Sequence, residues 1–212
     1  MRPGLAGRLR AETQTLHTQV ERSPFMAALI KGRVGLQGYS LLLRNLYPLY
    51  VELEAGLDRH ARLPALAPLY QPRLFRAQAI ARDLQALCGA GWEAGLAVLA
   101  PAERYRQRLH ELARSRPALL AAHAYVRYLG DLSGGQLLSG IVSRSLQLPP
   151  GQGRSFYDFG DQAQVAALAA AFRAGLDAVA ADDDAAQALV DEAKTAFALH
   201  AQLFEALATQ AS

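Results

Sequence analysis

Apolar residues recur at the spacing of a helix along nearly the whole chain. The first such stripe is Leu5, Leu9, Leu16 and Val20, and similar spacing returns through residues 41–57 and 189–207. No stretch alternates between apolar and polar residues for long enough to predict a β-strand. We therefore predict an all-α fold, a bundle of about eight helices near residues 5–22, 24–31, 36–60, 71–88, 101–115, 117–146, 162–181 and 184–208.

Prolines and glycines mark the boundaries between these helices. Pro24 and Pro117 stand where helices are predicted to start, whereas Pro48 falls inside the third helix and should kink it. The stretch 148–160 lacks helical periodicity but carries aromatic residues, so we predict an ordered surface loop there. With 212 residues and no internal repeat, the chain is predicted to form a single domain over 1–212.

Composition narrows the class of protein. Hydrophobic residues make up 51% of the chain, as expected of an ordered helical core. The net charge of +3 is too small and scattered to predict nucleic-acid binding. Cys88 is the single cysteine, which excludes an internal disulfide, and we expect it to be a small core residue. The termini show neither a signal peptide nor a membrane anchor, so we expect a cytoplasmic protein, with a monomer as the default.

The predicted helix 117–146 carries Gly130, Gly134 and Gly135 in its interior. Each glycine costs a helix roughly 1 kcal/mol relative to alanine. Two explanations stand about equal: bare glycines let two helices pack closely, or they form a backbone ledge against which a flat ligand can lie. Arg127 and Asp131 would be the strong polar groups beside such a ledge. These charges also argue against a helix that spans a membrane.

The histidines differ in their surroundings. His17 lies beside an apolar stripe with Glu21 four residues later, so the carboxylate could reach one imidazole nitrogen and leave the other for a metal. Spacing alone nevertheless favours a satisfied core histidine at that position. His200 is predicted to be a core residue and His123 to make a structural hydrogen bond, whereas His60 and His110 are predicted to be solvated. No HExxH or CxxC motif is present, which argues against a structural zinc site.

Residues 122–136, with the sequence AHAYVRYLGDLSGGQ, resemble the signature of the heme oxygenases nearly residue for residue. Segments at 16–21, 25–32, 46–54, 156–159 and 192–204 also resemble this family, so the resemblance extends over almost the whole chain. It implies a fold in which heme is sandwiched between a proximal helix and a kinked, glycine-rich distal helix.

The resemblance also implies roles for individual residues. His17 would be the proximal axial ligand of the heme iron, and Glu21 would fix the orientation of its ring. Asp131 would order a water cluster that delivers protons in the distal pocket, and Arg127 and Tyr50 would extend that network. The other residues assigned to heme contact are Gly130, Gly134, Gly135 and Phe197.

Heme b carries two propionates, so the resemblance further implies cations at the mouth of the pocket. Arg10 and Arg173 match basic positions of the family, and Tyr125 matches a tyrosine that hydrogen-bonds a propionate. Ala169 is a departure, because many relatives carry a lysine at this position, one turn before Arg173. One propionate contact is therefore missing, although cleavage at the α-meso carbon remains our expectation.

The implied activity is oxidative cleavage of heme to biliverdin, carbon monoxide and ferrous iron with O2. Electrons would come from a ferredoxin, a flavodoxin or an NADPH-dependent reductase, since the chain has no flavin or iron–sulfur motif of its own, and a bilin-binding photoreceptor could accept the product. The alternative is a non-catalytic heme carrier or sensor of the same fold. Helical thiamine-degrading enzymes share the fold class but need a catalytic cysteine, and Cys88 has no activating neighbours in sequence.

Overall fold

The computed structural model describes residues 4–179 and 182–210, and within these ranges it contains helices and no strands. The prediction of an all-α fold is therefore confirmed. The helices are α1 (Leu5–Glu21), α2 (Pro24–Ile30), α3 (Leu36–Arg59), α4 (Ala77–Cys88), α5 (Trp92–Gly95), α6 (Ala100–Ser115), α7 (Leu120–Ser145), α8 (Gln162–Ala178) and α9 (Asp183–Gln210). In this part of the chain no helix is both long and apolar enough to cross a membrane.

Helices α3, α7 and α9 form the centre of the bundle. Helix α1 packs along α9, α3 lies against α4 and α6, and α7 contacts both α8 and α9. Four tyrosines, Tyr39, Tyr50, Tyr105 and Tyr128, are among the largest fully buried side chains. The glycine-rich helix α7 is thus enclosed by the bundle at its first half, where residues 120–126 are all buried.

The predicted start of the fourth helix is wrong. Residues 71–76 do not continue α4; Pro72–Leu74 form a separate 3-10 turn, and α4 begins at Ala77. The reason lies on another helix. The carboxylate of Glu54 on α3 accepts hydrogen bonds from the backbone N–H groups of Arg76 and, at 3.1 Å, Ala77. This side chain satisfies the free donors at the start of α4, a role that local sequence normally fills.

Other boundaries differ by small amounts. Residues 117–119 of the predicted sixth helix form a 3-10 turn before α7, and the short helix α5 after Gly91 was not predicted. Helix α3 continues through Pro48 to Arg59. Helix α8 ends at Ala178, and the predicted end of this helix at 181 lies outside the described residues.

Cys88 is exposed, so its prediction as a core residue is wrong. It is the last residue of α4, and Gly89 ends the helix with a φ of 77°. A positive φ of this kind is favoured by glycine and is common just after a helix. The end of the helix therefore carries the thiol to the surface.

A buried ion pair joins α6, α7 and α9. Glu192, 5% exposed, accepts two hydrogen bonds from the guanidinium of Arg108, at 3.0 and 2.6 Å. Its Oε1 also lies 2.9 Å from Nε2 of the fully buried His123, whose Nδ1 lies 3.1 Å from the hydroxyl of Tyr105. Burial lowers the pKa of His123, so the neutral ring donates to Glu192 and accepts from Tyr105. The predicted structural hydrogen bond of His123 is confirmed.

We expect Glu192→Gln to destabilise the fold by about 1–3 kcal/mol at neutral pH, because it removes the charge that Arg108 pairs with. Burial raises the pKa of Glu192, but hydrogen bonds from His123 and Arg108 outweigh it and lower the pKa to about 2. The folded-state pKa is below the unfolded value, so this stabilisation is complete above about pH 4.5 and is lost as the pH falls towards 2.

Urea unfolding of the parent protein and Glu192→Gln at pH 7 and at pH 3.5 measures this difference. The difference in free energy of unfolding between the two proteins should be smaller at the lower pH. Glu111→Gln is the matched control, since Glu111 is 67% exposed and lies 3.8 Å from the same Arg108. An equal gap at both pH values would contradict the assigned charge of Glu192.

Candidate active site

The glycines of α7 face two different surroundings. A methyl group built on Gly130 would meet no atom within 4 Å, and one on Gly134 would meet only the end of Leu138 at 4.0 Å. One on Gly135 would lie 3.6 Å from the ring of Tyr157. Gly130 and Gly134 therefore expose bare backbone to open space, as a ligand ledge requires, whereas Gly135 allows close packing against Tyr157.

The open space beside this ledge is a cavity lined by α1, α2, α3, α7 and α9 and by the 3-10 turn near Tyr157. Its wall is mainly apolar and includes Met26, Val126 and Phe204. An apolar lining with a few convergent polar groups is typical of small-molecule sites. The polar groups that converge here include those of His17, Arg127, Asp131 and His200.

His17 lies on α1 and lines this cavity with 41% of its side chain exposed. The interpretation as a core histidine, which spacing alone favoured, is therefore wrong. Its Nδ1 lies 3.4 Å from Oε2 of Glu21, the arrangement that the i, i+4 spacing allowed. The ring also contacts Phe197 edge to face, with 6.0 Å between centroids. With Nδ1 directed to the carboxylate, Nε2 is the nitrogen that is available to a metal.

A network of buried polar groups lies beside the ledge. The hydroxyl of Tyr50 donates to the carboxylate of Asp131. The guanidinium of Arg127 donates to the same hydroxyl from Nε at 2.9 Å and from Nη2 at 2.6 Å, and Nη2 also donates to Asp131 at 2.8 Å. The structure thus brings together the three residues that the family resemblance assigned to one network.

Burial dominates the electrostatics of this network. It raises the pKa of Asp131, although the charge of Arg127 and the hydrogen bond from Tyr50 oppose the change. Burial also raises the pKa of Tyr50 well above its ordinary value, so this hydroxyl stays protonated and donates. A carboxyl group with a raised pKa that lines a cavity is suited to holding and passing on a proton.

His200 is a member of the network that the sequence did not reveal. It is 2% exposed, as expected for a core residue, but its Nε2 is hydrogen-bonded to Nη1 of Arg127 and it lines the same cavity. The i, i+3 and i, i+4 spacing from Phe197 and to Phe204 indicated only an apolar face. No signal in the sequence pointed to an arginine 73 residues away.

The cavity continues outward into a second pocket, which shares His17, Gly130 and Phe197 with it and adds Arg10, Tyr125 and Arg173. The Tyr125 hydroxyl lies 3.3 Å from that of Thr13. Burial raises the pKa of Tyr125, and the nearby charges of Arg10 and Arg173 oppose this change. Two cations and a phenol thus line one mouth together with the carboxylate of Asp177, and the cations and the phenol are the groups that could bind anionic parts of a ligand.

The remaining predictions concern residues outside the cavity. His60 is half-buried and its Nε2 lies 2.8 Å from the carbonyl oxygen of Ala113, so its prediction as a solvated residue is wrong. His110 is 50% exposed and pairs with Glu52 at 2.9 Å, as expected for a residue among charges. Ala169 lies one turn before Arg173, and both line a groove between α7 and α8.

A family model described as heme oxygenase matches residues 3–206. The chain belongs to the heme oxygenase family. Human heme oxygenase 1 is 40% identical over 205 residues, which are 96% of this chain and 71% of the human protein. Heme oxygenase 1 of the cyanobacterium Nostoc sp. is 36% identical over 207 residues, or 98% of this chain and 87% of that protein.

Solved structures of family members have the same fold. Heme oxygenase-1 from Synechocystis sp. in complex with heme superposes with a TM-score of 0.91 at 35% identity, over 97% of this chain and 92% of that one. Heme oxygenase-2 from the same organism, in complex with heme and NO, gives 0.93 at 36% identity, over 97% and 85%. The similarity therefore includes family members whose structures contain heme.

Proposed function

We propose that this protein is a heme oxygenase, which binds heme in the cavity and cleaves it to biliverdin, carbon monoxide and ferrous iron with O2. Family membership supports the reaction class. The observation that carries the proposal is the bare backbone at Gly130 and Gly134 with the buried carboxylate of Asp131 between them on the same helix. A flat macrocycle fits a ledge without side chains, and binding alone does not need the carboxylate.

The residues present fit the two polar parts of heme, which are the iron and the propionates. Nε2 of His17 would ligate the iron, and Glu21 would hold the ring in the required orientation and tautomer. Arg10, Arg173 and Tyr125 would bind the propionates at the mouth. Heme, when bound, supplies the iron that activates dioxygen and is itself the substrate.

The chain's own residues would supply protons and would limit where small molecules can approach the ligand. Asp131 would hold and release a proton beside the ledge, while Tyr50 and Arg127 fix the direction of its carboxylate. Because Gly130 and Gly134 have no side chains, the backbone of the helix could lie close to the ligand. The narrow space between them would admit small molecules only next to the macrocycle. Preorganised groups of this kind favour one reaction outcome because they need not rearrange during it.

The contacts of the propionates would set which meso carbon is attacked. Arg10 and Arg173 surround the mouth, and we propose cleavage at the α-meso carbon, with Ala169 leaving one contact fewer than a lysine would give. Electrons would come from an external donor, a ferredoxin, a flavodoxin or an NADPH-dependent reductase.

Replacing Arg10 or Arg173 by glutamate should weaken heme binding by about tenfold, or roughly 1.4 kcal/mol, because a carboxylate would then face the propionates. Hemin titration followed by absorbance measures the change. Arg62→Glu is the matched control, since Arg62 is exposed and does not line either pocket. Unchanged affinity in both test variants would show that the propionates bind elsewhere.

Replacing Gly130 by alanine should stabilise the heme-free protein and weaken heme binding. The added methyl group meets no atom within 4 Å, so the helix gains about 1 kcal/mol, or about 2–4 °C in Tm. The same methyl group would occupy the ledge against which the macrocycle lies. Gly140→Ala, on the same helix and outside the cavity, is the matched control and should leave heme binding unchanged. Tighter heme binding by Gly130→Ala would contradict the ledge.

The competing function is a heme carrier or sensor without turnover. Incubating the heme complex with ascorbate and catalase in air separates the two, with the remaining heme measured after extraction. An oxygenase converts the heme to biliverdin as the Soret band decays. A carrier returns the heme intact, and transfers it to apomyoglobin when that acceptor is added.

A further inference from the structure

His200 completes the set of hydrogen bonds around the guanidinium of Arg127. On one side of the guanidinium, Nε and Nη2 donate to Tyr50 and Asp131. On the other, Nη1 is hydrogen-bonded to Nε2 of His200, which belongs to α9. Arg127 is therefore held between Tyr50 on α3 and His200 on α9. His200 contacts the guanidinium on the side away from Tyr50.

The chemistry of this bond fixes the state of the imidazole. A guanidinium only donates hydrogen bonds, so Nε2 of His200 must accept and the ring proton must be on Nδ1. Burial lowers the pKa of His200 well below its ordinary value, and the charge of Arg127 lowers it further. A protonated ring would place two cations in contact. The arrangement thus requires neutral His200.

Aromatic neighbours hold the ring in this orientation. Tyr105 and Phe204 contact it edge to face, with centroid distances of 5.3 and 5.4 Å and interplanar angles of 86° and 87°. Its Nδ1 is buried, and the carbonyl oxygen of Ala196, one turn earlier on α9, is the partner towards which the ring proton is directed. The bond from Arg127 to Nε2 is the side-chain hydrogen bond that His200 makes among the described residues.

We propose that His200 is a positioning residue, which accepts a hydrogen bond from Arg127 and thereby holds the guanidinium against Tyr50 and Asp131. It would act on proton supply through Arg127 and would not contribute to heme affinity. The proposal rests on the proposed function, because its consequence is the rate of heme cleavage. The property of His200 that matters for this role is its acceptor nitrogen, Nε2.

Two substitutions separate an acceptor from a space-filling side chain. His200→Leu fills the space without an acceptor, whereas the amide oxygen of His200→Gln can take the place of Nε2. We expect both variants to bind heme within about twofold of the parent protein. The biliverdin-forming rate should fall about tenfold in His200→Leu and recover to within about threefold in His200→Gln. His110→Gln, at an exposed histidine, is the matched control.

Outcomes of this comparison decide the role. A parental rate in His200→Leu would show that Arg127 needs no support, and a rate in His200→Gln as low as in His200→Leu would exclude the acceptor role. Heme binding lost in both variants would make His200 part of the binding wall and would overturn the proposal.

A spectroscopic test does not depend on turnover. Two-dimensional ¹⁵N NMR of the histidine rings in the heme-free protein should give His200 the shifts of a neutral ring with its proton on Nδ1, and Arg127→Lys should perturb them. A proton on Nε2 would overturn the proposal. Because this signal needs no reaction, it distinguishes failure of the positioning role from failure of the proposed activity.

Discussion

Replacing His17 by alanine is expected to lower heme affinity by about 100-fold, or roughly 2.8 kcal/mol, and to abolish the Soret spectrum of a histidine-ligated heme. The reason is geometric. Nδ1 of His17 is directed to Glu21 at 3.4 Å, so Nε2 is the group on α1 that can ligate iron in the cavity. Hemin titration with absorbance and electron paramagnetic resonance spectra measures both effects.

Two other side chains in the cavity make this a demanding test. Met26 and His200 also line it and carry atoms that can ligate iron. The double variant His17→Ala/His200→Gln identifies any replacement by the second histidine, and His60→Ala, outside the cavity, is the control for loss of an imidazole. An unchanged spectrum in His17→Ala would remove His17 as the axial ligand.

Replacing Asp131 by asparagine is expected to leave heme affinity within about twofold of the parent value and to lower biliverdin formation by about 100-fold. Asparagine keeps the shape of the side chain but cannot hold and release the proton. Asp131→Ala should have the same effect on the product, with an added loss of stability because buried Arg127 loses its carboxylate partner. Product extraction and chromatography after a fixed number of turnovers measure the yield.

Ser133→Ala is the matched control for Asp131→Asn. Ser133 lines the same cavity, but its hydroxyl bonds to the carbonyl of Gly130 within the helix at 3.1 Å. Its removal should leave the yield of biliverdin unchanged. Normal turnover in Asp131→Asn would refute the role of the carboxylate in proton supply, whereas equal losses in both variants would point to a general disturbance of α7.

The sequence predicted the long helices well because each repeats its apolar residues over several turns, and all of them except α9 begin near a proline or a glycine. It also indicated the importance of the glycines of α7 from their energetic cost. The sequence left open the reason for these glycines. All three line the cavity, but Gly130 and Gly134 expose bare backbone to open space, whereas Gly135 also packs against Tyr157. This division depends on which neighbours surround the helix, and sequence spacing does not contain that information.

The errors at single residues have the same origin. The start of α4 depends on Glu54, more than 20 residues earlier, and the carbonyl that holds His60 is 53 residues later. His200 contacts Arg127 across 73 residues. Spacing favoured a core position for His17, and only the family resemblance indicated a ligand. Local patterns therefore predicted elements, whereas contacts between distant residues decided the site.

The proposed activity is tested most sharply by the product of the parent protein itself. The purified heme complex, supplied with air and a reductase–ferredoxin system, should release about one carbon monoxide and one biliverdin per heme, with the α isomer predominant. Carbon monoxide can be trapped by ferrous myoglobin and the isomers separated by chromatography. Heme recovered intact, with no carbon monoxide released, would contradict the proposal that this cavity directs oxygen to the macrocycle.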